Sequence, residues 1–231
     1  MRVGIYGGSF NPVHYGHLNV ARQALAELSL DRLIVIPAAV SPFKTEKGDP
    51  VFPDRLAMVK NAFAGLDKTV VDERELKRGG VSYAIDTVKE IRAELSVSAS
   101  SLELYFIIGE DSVEGLPRWK DADTLWRLCT PKAFPRTPES STEIRARLAK
   151  GEPIADLVPS VVDLFIRHRV RYTDDAKIAG VVLDGLRRKA GYCPCRLPKN
   201  PEFFCPCEEF RGQLADPAFH GLCHCRLYLK P

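Results

Sequence analysis

The first 172 residues alternate between short apolar runs and longer segments whose apolar positions have helical spacing. Short runs rich in Val, Ile and Leu predict buried strands. Such runs occupy residues 3–6, 33–36, 69–72 and 102–108. Helical spacing predicts helices that begin near His14, Asp54, Tyr83, Ser140 and Pro159. Strands that alternate with helices favour an α/β fold, in which a parallel sheet carries helices on both faces.

The α/β pattern stops near residue 173, where we place a domain boundary. A helix with apolar positions Ile178, Val181, Val182 and Leu186 leads from there into a region rich in cysteine. The expected domains are therefore residues 1–172 and residues 173–231. The second domain is expected to be small and mainly helical.

Composition and charge narrow the class of protein. The chain has 231 residues, of which 45% are hydrophobic and 27% charged, and a formal net charge of +3. These values are ordinary for a globular protein and give no reason to expect a nucleic acid or a membrane as partner. No apolar run has the length of a signal peptide or a membrane span, so we expect a cytoplasmic protein. In that compartment, clustered cysteines favour metal binding or redox catalysis over structural disulfides.

A glycine-rich loop with two histidines follows the first predicted strand. It contains Gly8, Ser9 and Phe10 and ends at the start of a helix with His14 and His17. Glycines let the backbone approach an anion closely, and a helix start offers unpaired N–H groups. Imidazoles three residues apart lie on one side of that helix, where they can donate hydrogen bonds to a phosphate in a transition state. A glycine turn with two surface histidines is the alternative.

This loop resembles the signature of the HxGH nucleotidyltransferases, and the wider sequence resembles one subfamily, bacterial nicotinate-nucleotide adenylyltransferase. The resemblance extends over residues 1 to about 172. The segments that carry it are residues 7–17, 36–44, 54–58, 75–83, 108–112, 116–119 and 140–145.

The resemblance implies a Rossmann-like nucleotidyltransferase fold and adenylyl transfer with Mg²⁺ and ATP. The phosphate of nicotinate mononucleotide would attack the α-phosphorus of ATP and release pyrophosphate. His14 and His17 would stabilise the α-phosphate, and Lys44 and Arg145 would hold the outgoing phosphates. The resemblance assigns the remaining nucleotide-binding positions to Gly8, Ser9, Phe10, Tyr83, Gly109, Asp111, Trp119, Ser141 and Thr142, with Trp119 stacked on the nicotinate ring.

The sequence departs from this family at one segment above all. Family members carry a further strand and loop before the Ser140–Ser141–Thr142 motif, whereas only residues 129–139 fill that interval here. Three prolines in the segment argue against a central strand. Because the missing part contributes to the adenine side of the pocket, the first domain is alternatively a nucleotide-binding module without adenylyl transfer.

Three Cys-x-Cys pairs lie between residues 193 and 225. Six thiols suit zinc, a 4Fe–4S cluster or disulfides. Zinc and a 4Fe–4S cluster each take four ligands, so two thiols remain in either case. On chemistry alone a structural zinc site stays open beside the iron–sulfur site.

The cysteine region resembles the catalytic chain of ferredoxin-thioredoxin reductase over residues 174–231, although Arg226 replaces the usual glycine. The resemblance implies that four cysteines bind a 4Fe–4S cluster, namely Cys193, Cys205, Cys207 and Cys223. It implies a redox disulfide between Cys195 and Cys225, with Cys195 as the attacking thiol and His224 as a proton donor or stabiliser near that disulfide. The implied partners are a ferredoxin-like electron donor and a thioredoxin-like disulfide protein. We therefore interpret the chain as a fusion of the two enzymes.

Overall fold

The computed structural model describes residues 1–43, 54–97 and 101–231. The chain forms two compact units, Met1–Leu157 and Val158–Pro231. The division therefore falls earlier in the chain than the boundary that the sequence pattern suggests. The reason is a strand pairing, since residues 171–172 pair with residues 228–229 at the end of the chain. A segment that continues the α/β pattern locally thus packs with the cysteine region.

The first unit contains five strands and six α-helices within its described residues. The strands are β1 (Arg2–Gly8), β2 (Arg32–Pro37), β3 (Thr69–Val71), β4 (Glu103–Gly109) and β5 (Thr130–Phe134). The helices are α1 (Tyr15–Glu27), α2 (Arg55–Phe63), α3 (Arg74–Arg78), α4 (Ala84–Ser96), α5 (Ala122–Leu128) and α6 (Ser141–Ala149), and a 3₁₀ helix spans Glu110–Arg118.

The five strands form one parallel sheet in the order β3-β2-β1-β4-β5. Alternate residues of the strands point to opposite faces, and both faces are apolar. One face carries Val3, Ile5, Ile34 and Phe106 and packs against α4 and α5. Helix α1 contacts the sheet at β1, β2 and β5. The structure confirms the predicted α/β architecture.

Residues 129–139 do contain a strand, but it lies at the edge of the described sheet and not at its centre. Thr130–Phe134 forms β5, which pairs in parallel with β4 and places Pro131 opposite Phe106. Proline is tolerated there because β5 lies at the edge of the described sheet, where half of a strand's N–H groups need no partner. The connection from β5 to α6 is nevertheless short, because only residues 135–140 separate the two elements.

The second unit combines helices with a small antiparallel sheet, which the sequence pattern did not indicate. Its elements are α7 (Ser160–His168), β6 (Arg171–Tyr172), α8 (Ala176–Arg188), a 3₁₀ helix (Pro201–Phe203), α9 (Glu208–Leu214), β7 (Gly221–Leu222) and β8 (Tyr228–Lys230). The strand order is β6-β8-β7. Buried Phe165, Val182, Phe210 and Leu227 contribute to its core. Among the described residues of both units, no helix is long and apolar enough to cross a membrane.

Candidate active site

A cleft of about 750 Å³ opens at the carboxyl ends of the parallel strands. From β1 the strands β2 and β3 are added on one side of the sheet, whereas β4 and β5 are added on the other side. The order therefore reverses between the neighbours β1 and β4. Open α/β sheets bind ligands at such a point, because the loops that follow the two strands separate there. The cleft is lined by loops that follow β1, β2, β4 and β5.

His14 and His17 lie side by side in this cleft, with ring centroids 3.8 Å apart. His14 is the residue before α1, and its backbone N–H donates to Nδ1 of His17 at 3.2 Å. Since Nδ1 of His17 accepts a hydrogen bond, the proton of its neutral ring lies on Nε2. The structure thus presets His17 as an Nε2–H donor.

Burial keeps the His14 ring neutral. The residue is 8% exposed, and its burial lowers the pKa from 6.5 to about 4. The charge of Glu139 raises this pKa and that of Arg136 lowers it. Within the described parts of the chain, Nδ1 of His14 is buried without a hydrogen-bond partner. A buried polar atom without a partner is costly, so this atom suits a ligand that enters the cleft.

Gly16 allows α1 to start this close to the rest of the site. A Cβ at this position would lie 2.4 Å from Oγ1 of Thr137 and 3.0 Å from Nδ1 of His14. The first distance is shorter than a methyl group permits, and the second is tighter than most contacts of a Cβ atom. The glycine between the two histidines is therefore required by packing against the segment that follows β5.

The start of helix α6 lines the same cleft. Ser140 caps the helix by accepting a hydrogen bond from the Glu143 N–H, and Ser141 donates to the Pro12 carbonyl at 2.9 Å. Arg145 donates to the Asn11 carbonyl at 2.6 Å and to Oγ1 of Thr142 at 3.4 Å. Ser141 and Thr142 thus face the cleft, whereas Arg145 connects α6 to the loop after β1. Two helix N-termini, those of α1 and α6, border one cavity and favour an anion there.

Aromatic and polar side chains form the opposite wall. Half-buried Trp119 packs edge-on against Phe106 at 5.5 Å and faces Phe43 at 6.1 Å. Tyr83 carries the Lys120 ammonium 4.2 Å above its ring. Asp111 pairs with Arg136 at 3.3 Å, and a Cβ on Gly109 would lie 2.6 Å from its carboxylate. Together with Gly8 and Ser9, these predicted residues all line the cleft.

Three predicted residues differ from the others in position, and the first is Arg145, which bonds the Asn11 carbonyl. Phe10 is 1% exposed and packs against His17 and Phe63, so its side chain supports the histidine from the core. Lys44 lies outside the described residues.

Comparisons with known proteins agree with this geometry. The sequence model of the family described as cytidylyltransferase-like matches residues 5–149. A relative from Chromobacterium violaceum, described as "Probable nicotinate-nucleotide adenylyltransferase", is 35% identical over 211 residues, covering 74% of this chain and 98% of its own. A relative from Gemmatimonas aurantiaca with the same description is 37% identical over 194 residues, covering 72% and 90%. This chain belongs to the nicotinate-nucleotide adenylyltransferase family.

The fold of the family is also that of solved structures. Nicotinic acid mononucleotide adenylyltransferase of Plasmodium falciparum, complexed with NaAD, matches with a TM-score of 0.54 and 18% identity. The match covers 73% of this chain and 96% of that one. This nucleotidyltransferase therefore has the Rossmann-like fold, whereas the matched family model ends before the first cysteine pair.

Sequence reasoning missed three charged residues of this nucleotidyltransferase. The buried guanidinium of Arg55 donates to the carbonyls of Ser9 and Ala38 and so ties the loops after β1 and β2 together. Arg136 and Glu139 line the cleft and act electrostatically on His14. Each is an ordinary charged residue in its local sequence. These residues come together at the site only because loops that are distant in the sequence meet there.

The second unit contains the six cysteines of the three Cys-x-Cys motifs, and they are not joined by disulfide bonds. An antiparallel bridge joins Tyr192 to Phe204, and the Cys205 N–H donates to the Gly191 carbonyl at 2.9 Å. This bridge brings the first two pairs together. The sulfurs of Cys193, Cys195 and Cys225 lie within 4.8 Å of one another, and those of Cys223 and Cys225 are 3.7 Å apart.

The burial of these thiols tests whether they fit a metal cluster. Cys193, Cys207 and Cys223 are buried and Cys205 is half-buried, whereas Cys195 is exposed and Cys225 half-buried. Burial raises the pKa of the Cys205 thiol to about 12, and the nearby Cys193 and Cys223 raise it as well. Buried sulfurs this close together suit a cation that stabilises their thiolates. The closest trio, however, mixes one predicted ligand with both predicted disulfide cysteines. His224 is exposed beside Cys225.

Proposed function

We propose that this nucleotidyltransferase transfers the adenylyl group of ATP to nicotinate mononucleotide, giving the deamido dinucleotide and pyrophosphate. The observation that carries the proposal is the histidine pair at the start of α1, in one cleft with the start of α6. The names of the two relatives indicate the substrate.

The chemistry requires placement and charge stabilisation rather than a general base. The attacking phosphate is already ionised at neutral pH, so the enzyme has to hold it in line with the α-phosphorus of ATP. The Nε2–H of His17 and the ring of His14 donate to the α-phosphate as its charge grows. Ser141, Thr142 and the helix start beside them bind the outgoing pyrophosphate, which carries Mg²⁺ as ATP does.

Replacing His17 by Ala tests this proposal. Adenylyl transfer should fall by roughly two to three orders of magnitude, as the loss of one transition-state donor does, while ATP binding should fall much less. Pyrophosphate release with Mg²⁺, ATP and nicotinate mononucleotide is the measurement, and His168→Ala in the second unit is the control. If the wild-type protein releases no pyrophosphate with these substrates, the first unit is a nucleotide-binding module without adenylyl transfer.

We further propose that the cysteine unit binds a 4Fe–4S cluster and reduces a protein disulfide. The domain that we propose for this activity starts near residue 173, and α7 and β6 support it from within the second compact unit. The supporting observation is the difference in burial, since the four predicted ligands are on the whole more buried than Cys195 and Cys225. Cys193, Cys205, Cys207 and Cys223 would hold the cluster.

The division of roles follows from electron counting. A Cys195–Cys225 disulfide takes up two electrons, whereas a ferredoxin-like donor supplies one at a time. The bound cluster supplies one-electron storage next to the disulfide. Exposed Cys195, once reduced, attacks the disulfide of a thioredoxin-like protein, and exposed His224 supplies the proton for the partner's leaving thiolate.

Iron content in six single Cys→Ser variants tests this second proposal. Loss of iron is expected for the four ligands and retention for Cys195→Ser and Cys225→Ser. Equal loss in all six, or a different pair of iron-rich variants, contradicts the assignment. A colourless protein that holds zinc supports the structural zinc alternative.

A further inference from the structure

Tyr228 lies at the centre of the cysteine unit and contacts two of its sulfurs. The side chain is 3% exposed. Its backbone N–H donates to Sγ of Cys223 at 3.2 Å, and its hydroxyl lies 3.8 Å from Sγ of Cys205. Tyr228 therefore contacts the sulfurs of two cysteines that are 18 positions apart in the sequence.

The fold holds the Tyr228 ring in place from two sides. Phe210 of α9 stacks on it with ring centroids 5.7 Å apart and an interplanar angle of 14°. Tyr172 pairs with Tyr228 across β6 and β8, and their ring centroids are 5.4 Å apart. The hydroxyl is therefore aimed at Cys205 by packing and strand register rather than by a free rotation of the side chain.

Packing alone does not account for this hydroxyl. A phenylalanine would fill the same space against Phe210, whereas a buried hydroxyl is costly unless it is hydrogen-bonded. The described partners of the hydroxyl are the Cys205 sulfur and the side chains of Tyr172 and Ser160. A cysteine that binds a metal is a thiolate and has no proton, so Tyr228 must be the donor in that pair.

We infer that Tyr228 is a positioning residue that stabilises the thiolates of Cys205 and Cys223 and thereby raises the reduction potential of the group they hold. The inference rests on the proposed iron–sulfur function. Reduction adds negative charge, and hydrogen bonds to ligand sulfurs favour the more negative state. Tyr172 contributes indirectly, because its hydroxyl contacts that of Tyr228.

Tyr228→Phe in the full chain tests the inference, since it removes the hydroxyl and keeps the ring and the backbone N–H. After anaerobic reconstitution with iron and sulfide, the midpoint potential is followed through the visible absorbance. We expect Tyr228→Phe to retain iron and to have a more negative potential, by about a tenfold change in the one-electron equilibrium, or about 59 mV. Tyr172→Phe should shift the potential less and in the same direction. Tyr105→Phe in the first unit is the matched control without a shift, because its hydroxyl bonds Arg2 and Glu103.

The outcomes separate this inference from the function on which it rests. A wild-type protein that takes up no iron and sulfide overturns both. An iron-loaded Tyr228→Phe variant with the wild-type potential overturns the role of Tyr228 alone. If Tyr228→Phe fails to hold iron, Tyr172→Phe decides, because a shift to more negative potential supports the inference and an unchanged potential overturns it.

Discussion

At the scale of single residues, burial decides the charge that His14 carries. The ring lies against His17, with Glu139 and Arg136 as the charged groups that act on it. Two imidazolium ions at a ring separation of 3.8 Å would repel each other, and burial opposes even one. An empty cleft therefore favours a neutral His14. An anion that enters the cleft acts in the opposite direction and favours the protonated ring.

The depressed pKa of His14 predicts how stability depends on pH. The unfolded chain takes up this proton near pH 6.5 and the folded chain only near pH 4. Stability from this group is thus complete above pH 6.5 and is lost as the pH falls toward 4, by at most about 3 kcal/mol. Urea unfolding followed by Trp fluorescence reports the first unit, which contains Trp119 and Trp126. The wild type should lose more stability than His14→Gln between pH 7 and pH 4.5, and equal losses would contradict the assignment.

Gly16→Ala should separate activity from stability. The added methyl group would meet Thr137 and the His14 ring, so one of them must move. A displacement of about 1 Å costs roughly a hundredfold in rate, whereas overpacking costs about 1–3 kcal/mol of stability. Pyrophosphate release and Trp fluorescence measure the two effects. Gly65→Ala is the control, since its added Cβ would have no neighbour within 4 Å among the described residues. Full activity in Gly16→Ala would show that the packing is not required.

At the scale of elements, helix α8 contains two glycines in different surroundings. Both Gly180 and Gly185 lie inside this helix, where glycine lowers helix stability. A Cβ on Gly180 would have no neighbour within 4 Å in the described structure, whereas a Cβ on Gly185 would lie 2.7 Å from Cβ of Pro194. Gly185 thus lets the first Cys-x-Cys pair pack directly on α8.

Opposite effects on stability are expected from the same substitution at these two glycines. Gly180→Ala should stabilise the second unit by about 1 kcal/mol, the usual gain from replacing glycine in a helix. Gly185→Ala should destabilise it by about 1–3 kcal/mol and lower its iron content, because Pro194 and the flanking Cys193 and Cys195 must shift. Loss of visible absorbance in urea is the measurement. A stabilised Gly185→Ala would refute the proposed close contact.

At the scale of the whole molecule, the histidine pair and the cysteine pairs belong to different units. The described residues that line the histidine cleft belong to Met1–Leu157, and the cysteines of the three Cys-x-Cys pairs belong to Val158–Pro231. A metal site that is absent in the unfolded chain contributes its binding energy to folding. If the cysteine unit holds the proposed cluster, its folding should depend on that metal, whereas folding of the nucleotidyltransferase unit should not.

Iron removal should consequently affect one unit only. We expect a ferrous chelator, used with Mg²⁺ in excess, to make residues 158–231 sensitive to protease while pyrophosphate release continues. Protease fragments identified by mass and the rate of pyrophosphate release are the two measurements. Loss of pyrophosphate release on iron removal would instead indicate that the state of the cysteine unit controls adenylyl transfer.

Local patterns in the sequence were enough to predict the α/β fold and much of the candidate site. Strand and helix periodicity is a property of neighbouring residues, so β1, α1, β2, α4 and β4 could be located directly. The histidine loop was recognisable because glycines, a strand end and a helix start are all contiguous there. The three Cys-x-Cys pairs were visible for the same reason, since spacing alone identifies them.

Only the tertiary structure decided which distant residues meet. Pro131 argues locally against a strand, yet an edge position in the sheet accommodates it in β5. Phe10 and Arg145 both lie in the motifs, but Phe10 packs into the core and Arg145 bonds the Asn11 carbonyl. Arg136 and Glu139 act on His14 although their segment matches no motif. The pairing of Tyr172 with Tyr228 likewise moved the division between the units to Leu157. Periodicity specifies the conformation of a segment, whereas contacts between segments depend on packing and strand register across the whole fold.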